Sequence, residues 1–243
     1  MTIRAAGPFL SPPLSWQGKA LTLRAAEGVR PRLELKPNDD PWQALFRTDR
    51  ALTLEGLDLD IAGDSAPAHR SHAGSLIYCT GAPLHLIDCK LTTGSSSVAI
   101  IARNVSAIEV RGCRIDAGSV GLSVEVGRDA TCRLCIVKSQ LTVRESSGAA
   151  LSLWAPEVSQ TTAIELILQG NTIHAGRMAA QQALPAGLTI EAHGNRFQVG
   201  KALLSFSGYR DRAACQRSLV WRQADNSYEG PASWLWINGQ AVP

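Results

Sequence analysis

A short apolar signature recurs along most of this chain, and its spacing constrains the fold more than any other feature. An aliphatic residue is followed by an apolar residue at +2, a small or amide residue at +5 and a third apolar residue at +7. Successive copies start 32, 24, 26, 32 and 24 residues apart, at Leu52, Leu84, Ile108, Leu134, Leu166 and, more weakly, Ile190. A recurring unit of this size predicts one supersecondary element stacked on copies of itself.

Each copy alternates apolar and other residues with a period of two, which is typical of a strand with one buried face. A second apolar run follows most copies after a segment rich in Gly, Ser, Asp and Asn, as in Ser97–Ile101 and Gly121–Val126. These units are too short for the four strands of a propeller blade, which needs about 40–45 residues. We therefore predict an all-β, right-handed parallel β-helix of about eight coils. Residues 1–20 would form its N-terminal cap, and residues 21–243 a single domain.

The +5 position predicts a column of stacked side chains, because like positions in adjacent coils lie about 4.8 Å apart. Stacked amides can form hydrogen bonds along such a column. Buried free cysteine behaves as a small hydrophobe, so we expect Cys89 and Cys113 to stack as free thiols. The column holds Leu57, Cys89, Cys113, Ser139, Asn171 and Asn195, and Asn226 extends it.

Segments that break the repeat are expected to form loops or ends. Extra residues predict loops on one face of the solenoid, at Ile61–Ala73, Ala155–Thr162 and Ser207–Ser218. The segment Gly176–Ala186 is the one plausible short helix, with a surface loop as the alternative. A last strand at Ala232–Ile237 leaves a thin cap, so either Trp234 and Trp236 close that end or another chain does.

Composition excludes several classes of function. The net charge of +3 and the lack of a dense Lys/Arg run argue against a nucleic-acid partner. No run reaches the ~18 apolar residues of a membrane span, and the start lacks a signal peptide's apolar core. Cys132 and Cys135 form a CxxC without a second pair, so we predict no zinc or redox role. We also predict no metal site at His69 and His72, which lie near Asp64 in a loop that should be solvated.

Two segments carry a resemblance to a known family. They read LSWQGKALTLRAAEGVRPRLEL from Leu14 to Leu35 and ALFRTDRALTLEGLDLDI from Ala44 to Ile61. This resembles the pectate-lyase-like right-handed β-helix domains of planctomycete bacteria, which often follow a serine/threonine protein kinase domain. The resemblance implies the fold and an origin as the C-terminal part of a larger chain. The localisation stays open between the bacterial cytoplasm and a place in a larger protein. It supplies no catalytic residue, and the kinase motifs themselves are not in this sequence.

The strongest candidate site lies at the +6 and +8 positions, which should point outward on either side of the buried +7 residue. Over three coils these positions hold Asp58, Asp60, Lys90, Arg114 and Asp116. One interpretation is an exposed ladder in which Asp58 pairs with Lys90 and Arg114 with Asp116. The other is a catalytic patch in which carboxylates bind Ca²⁺ and a cation acts as a base on an acidic polysaccharide.

Exposed tryptophan can stack on sugar rings, and Trp154 and Trp221 are the candidates for a groove edge. The favoured function is a non-catalytic module that binds a polysaccharide or a protein partner without a cofactor. A polysaccharide lyase or glycoside hydrolase, with Ca²⁺ as its only conceivable cofactor, is the alternative. A structural spacer is the third hypothesis, and the oligomeric state stays open.

Overall fold

Three short strands in each turn of the chain define the architecture. The structure is a computed structural model that describes residues 1–36, 43–61, 73–155, 161–182, 187–208, 213, 217–230, 233–238 and 240–242. The first twelve strands are β1 Thr2–Ile3, β2 Phe9–Ser11, β3 Leu14–Trp16, β4 Leu21–Ala25, β5 Arg32–Leu35, β6 Ala44–Thr48, β7 Leu52–Glu55, β8 Asp58–Ile61, β9 Ala73–Thr80, β10 Leu84–Ile87, β11 Lys90–Thr92 and β12 Ser97–Arg103. The others are β13 Ala107–Arg111, β14 Arg114–Ala117, β15 Val120–Glu125, β16 Thr131–Val137, β17 Gln140–Val143, β18 Ala149–Trp154, β19 Ala163–Gln169, β20 Thr172–Gln182, β21 Gly187–His193, β22 Arg196–Ser207, β23 Leu219–Ala224, β24 Ser227–Glu229, β25 Ser233–Ile237 and β26 Gln240–Val242.

The strands stack in parallel from coil to coil, so the solenoid has three faces. The first face consists of β1, β4, β7, β10, β13, β16, β19, β21 and β23. The second face begins with β2, β5, β8 and β11, and the third with β3, β6, β9 and β12. Strands β20 and β22 run unbroken from the second face into the third. The predicted right-handed parallel β-helix is confirmed, with about seven turns rather than eight because the end coils are only partly formed.

The repeat signature forms the core. On the first face Leu52, Leu84 and Ile108 stand side by side, and all are buried. The +7 residues Leu59 and Leu91 do the same on the second face. Because adjacent coils present like residues in register, each inward side chain packs between its counterparts above and below. Burial of one such aliphatic side chain contributes about 1.5–3 kcal/mol.

The predicted column at +5 is confirmed and lies at the corner between the first and second faces. The backbone N–H of Cys89 donates to Sγ of Cys113 at 3.4 Å, and that of Cys113 donates to Oγ of Ser139 at 3.1 Å. The N–H of Ser139 donates to Oδ1 of Asn171, and the N–H of Asn171 donates to Oδ1 of Asn195, each at 2.9 Å. The N–H of Asn195 donates in the same way to Oδ1 of Asn226, which therefore extends the column. From Cys113 to Asn226, each column side chain thus accepts from a corner N–H of the preceding coil.

The two ends of the solenoid differ. Residues 1–20, which were predicted to form a cap, form the parallel strands β1, β2 and β3, in register with β4, β5 and β6. The inward-column residues Phe9, Leu14 and Trp16 are consequently exposed. At the other end the predicted strand is present as β25, and β26 pairs with it in antiparallel fashion and covers its edge.

The helix predicted within Gly176–Ala186 is wrong for its described part, since β20 continues through Gln182. The segment forms a strand instead of a helix because Met178 and Gln181 fill inward positions beside the strands of the neighbouring coils. The predicted loops fall mainly outside the described residues, at 62–72, 156–160 and 209–212. Among the described residues, no helix is long and apolar enough to cross a membrane.

Gln181 is an interior position where this packing conflicts with side-chain chemistry. It is 2% exposed in the inward column between Leu153 and Phe206. Neither of its amide atoms has a hydrogen-bond partner in the part of the chain that the structure describes. An unpartnered buried amide is costly.

We therefore expect Gln181→Met to raise the free energy of unfolding by about 1–3 kcal/mol, because it removes the unpaired polar atoms at similar volume. Urea unfolding followed by circular dichroism measures the change. The exposed Gln169→Met is the control, and it should shift stability by less than about 0.5 kcal/mol. A Gln181→Met protein no more stable than its parent would mean that a buried water satisfies the amide.

Candidate functional site

The five candidate residues lie together on the second face, in the register that the repeat predicts. Asp58 stands beside Lys90, and Lys90 stands beside Arg114. In the parallel outer column, Thr92 lies between Asp60 and Asp116. Their side chains point outward because the intervening Leu59, Leu91 and Ile115 are buried. The structure thus brings all five predicted residues into one patch across β8, β11 and β14.

The ion pairs within this patch differ from those expected. Asp58 pairs with Arg30, whose Nε lies 2.5 Å from Oδ1, and Arg30 also donates to the carbonyl of Asp88. Asp60 pairs with Arg32, with 2.8 Å between Nη2 and Oδ2. The expected pairing of Asp58 with Lys90 is therefore wrong. Arginine is preferred because its planar fork can bond a carboxylate and a carbonyl at once.

Asp116 likewise pairs with Arg144 and not with the expected Arg114. Nε of Arg144 lies 3.4 Å from its Oδ1, a contact that is ionic but too poorly aligned to be a hydrogen bond. Arg144 is held in place because it also donates to the carbonyl of Thr93. The expected pairing of Arg114 with Asp116 is therefore wrong as well. Sequence reasoning missed Arg30, Arg32 and Arg144 because each reaches the patch from outside the repeat positions that were compared.

Lys90 and Arg114 are left as adjacent exposed cations. Neither side chain forms an ion pair or a hydrogen bond with any described residue, and both are exposed. Like charges directly opposite one another on neighbouring strands are destabilising. The fold nevertheless holds them side by side in register. No carboxylate of the described residues neutralises these two cations, so their charge is available to an external anion.

A groove of about 150 Å³ adjoins Lys90. It is lined by Arg32, Asp58, Leu59, Asp60, Lys90 and Thr92. Burial raises the pKa of the Asp60 carboxyl above its usual value, although the Arg32 guanidinium opposes the shift. The groove therefore holds carboxylates that are matched by guanidinium groups and an ammonium group that is not.

This charge distribution does not favour a calcium site. Ca²⁺ takes six to eight oxygen ligands, several of them from free carboxylates, yet Asp58, Asp60 and Asp116 each face an arginine. A bound cation would have to displace those guanidinium groups. No group of three or more potential metal ligands occurs among the described residues. His69, His72, Asp64 and Cys215 lie outside them.

The two candidate tryptophans occupy different environments. Trp154 ends β18 on the outside of the third face, 39% exposed, between Glu125 and Gln182 in register. The sequence suggested that Trp221 ends a strand at a groove edge, and this prediction is wrong. Trp221 lies within β23 beside Ile190 and packs against the C-terminal end of the core. The sequence did contain a clue to this position. If Asn226 occupies the +5 position of a repeat, that repeat starts at Trp221, and the first residue of the repeat points inward.

The described cysteines are free thiols, and all of them except Cys135 are buried. Cys132 points into the core and Cys135 outward from the same strand, so the CxxC pair cannot converge on one ion or form a local disulfide. Burial raises the pKa of the Cys132 thiol to about 12, and burial raises that of Cys79 to the same value. A thiol that stays protonated at neutral pH is a poor nucleophile and a poor ligand.

Fold and patch together define a parallel β-helix repeat protein with a polar outer ladder. Comparison of the chain with protein-family models, with curated proteins and with solved structures found no match.

Proposed function

We propose that this chain is a non-catalytic binding module that takes an acidic polysaccharide on its second face. The observation that carries the proposal is the pair of adjacent, exposed and unpaired cations Lys90 and Arg114. Successive coils repeat at about 4.8 Å, so the column continues as a straight row of hydrogen-bonding groups through Gln140 and Thr172. An extended anionic chain lying along the solenoid axis would contact the two cations first and then the side chains of Gln140 and Thr172.

Binding rather than turnover is supported by the state of the carboxylates. A lyase or hydrolase at this patch would need free carboxylates to hold Ca²⁺ or to move a proton, and all three aspartates are committed to arginines. The module needs no cofactor for the recognition proposed here.

The wider identity of the chain is also a proposal. The segments Leu14–Leu35 and Ala44–Ile61 support membership among the pectate-lyase-like domains of planctomycetes, and with it a place in a larger, kinase-linked protein. In that setting the β-helix would serve as the ligand-binding part. An immunoblot of the native source with an antibody against this chain would show a band well above 25.9 kDa. A band at that mass would contradict the larger protein.

We expect Lys90→Ala and Arg114→Ala each to weaken binding of a polygalacturonate oligosaccharide about tenfold or more, because each removes a charge-assisted hydrogen bond. Isothermal titration calorimetry at low salt measures the dissociation constant, and rising salt should weaken the parent protein's binding. The matched control is Arg133→Ala, an exposed arginine of the first face that is already paired with Glu165.

The alternatives give different results in the same experiment. A neutral galactan of equal length should bind far more weakly than polygalacturonate. If both bind equally, or if Arg133→Ala weakens binding as much as Arg114→Ala, the second face is not the site. Formation of unsaturated or shortened products would establish a lyase or hydrolase instead. No binding to any glycan would leave a protein-binding module or a spacer.

A further inference from the structure

A cavity of about 260 Å³ lies on the third face, whereas the cation pair lies on the second face. It is lined by Ser15, Gln17, Arg47, Thr48, Asp49, Tyr78 and Thr80. Strands β3, β6 and β9 lie side by side there, and the lining residues come from their carboxyl-terminal parts. Sites for drug-sized molecules occupy roughly 300–1,000 Å³. The cavity therefore has room for one sugar-sized ring.

A stacked arginine gives this cavity a fixed positive charge. The guanidinium carbon of Arg47 lies 5.0 Å from the centre of the Tyr78 ring, and that of Arg103 lies 5.6 Å from it. Arg103 is neutralised by Glu125, with 3.0 Å between Nε and Oε2. Arg47 has no carboxylate partner among the described residues. Stacking on an aromatic face restrains a guanidinium while leaving its in-plane N–H groups available for a ligand.

The other groups lining the cavity are mostly free to form hydrogen bonds. The hydroxyls of Ser15, Tyr78 and Thr80 have no hydrogen-bond partner among the described residues. The carboxylate of Asp49 meets only its neighbour Arg50, at a long 3.9 Å. Thr48 is the exception, because its hydroxyl already bonds the backbone of Arg50. The cavity thus combines one guanidinium, one carboxylate and several hydroxyls.

We propose that this cavity is a separate binding site for a single uronic acid residue. Arg47 would bind the sugar carboxylate with its planar fork. Asp49 and the surrounding hydroxyls would bond the ring hydroxyls, which both donate and accept. Asp49 also disfavours a doubly charged phosphate, because like charges repel at close range. Tyr78 positions Arg47 rather than stacking on the sugar, since guanidinium groups lie over its ring.

The test is an NMR titration of the intact chain with free galacturonate, galactose and inorganic phosphate. Galacturonate should shift the backbone amides of Tyr78 and Thr80, and the other two probes should shift them much less. Arg47→Ala should raise the dissociation constant for galacturonate at least tenfold, and Arg47→Lys should restore only part of the loss. Arg133→Ala is the matched control, because that exposed arginine lies on the first face and does not line the cavity.

Independence from the second face is part of the test. Lys90→Ala should leave galacturonate binding at the cavity unchanged, and Arg47→Ala should leave the polymer's contact with Lys90 in place. Equal shifts with phosphate or galactose would overturn the assignment. So would galacturonate shifts confined to β8, β11 and β14. If Arg47→Ala does not fold, the shift pattern of the unaltered protein still decides the question.

Discussion

Asn171→Leu is expected to lower the free energy of unfolding by about 3–5 kcal/mol, because it leaves several buried polar groups unpaired. Asn171 is 1% exposed. Its Oδ1 accepts from the N–H of Ser139, and its Nδ2 donates to the carbonyl of Ile136 at 2.7 Å and to Asn195 at 3.0 Å. Leucine has nearly the same shape and can make none of these bonds. Urea unfolding followed by circular dichroism gives the value.

Asn171→Ser is the matched variant, since the chain already uses serine one coil earlier. There Oγ of Ser139 accepts from the N–H of Cys113 and donates to the carbonyl of Val137. Serine at 171 can copy that arrangement, so its loss should be no more than about half that of leucine. A loss for Asn171→Ser larger than that for Asn171→Leu would show that side-chain volume, and not the hydrogen-bonded column, decides stability at this corner.

Gly176→Ala is expected to destabilise the protein by about 2–3 kcal/mol through a steric clash inside the solenoid. A Cβ at this position would lie 2.2 Å from the carbonyl oxygen of Ser146 and 2.9 Å from that of Gly148. Both are backbone atoms of the neighbouring coil and cannot rotate away. Relief requires the coils to move apart where β20 turns from the second face to the third. Thermal and urea unfolding both measure the effect.

Gly200 provides the matched control one coil further on. It lies at the same bend of β22, where pairing with β20 shifts register, and an added Cβ would meet no atom of the described residues within 4 Å. Gly200→Ala should be neutral or stabilising by up to about 1 kcal/mol, because alanine restricts the unfolded chain. Similar losses at both positions would contradict the steric explanation.

The two proposed sites differ in how far sequence could lead to them. The second-face patch follows from the repeat, because the register that buries Leu59 and Leu91 also places Lys90 beside Arg114. The cavity of the third face could not be found that way. Arg47, Tyr78 and Ser15 belong to coils with irregular spacing, and β3 lies in a segment without the signature. Only the pairing of β3 with β6 shows that these residues are neighbours.

Local periodicity determined the fold of this protein. Alternation and the column at +5 repeat along the chain, and stacking of identical units converts a one-dimensional pattern directly into contacts. The corner column, the buried thiols and the patch register all follow from that conversion. The strand at 176–182 and the inward position of Trp221 were missed, because there the pattern is carried by residues that also suit other structures.

Tertiary structure alone decided which charges meet. Arg30 reaches Asp58 across 28 residues, and Arg144 reaches Asp116 from the far side of a corner. Long side chains choose partners by the position of their terminal atoms, which depends on corner geometry and on competing backbone carbonyls rather than on repeat spacing. That choice left Lys90 and Arg114 without carboxylate partners among the described residues, although one interpretation of the sequence had paired both of them.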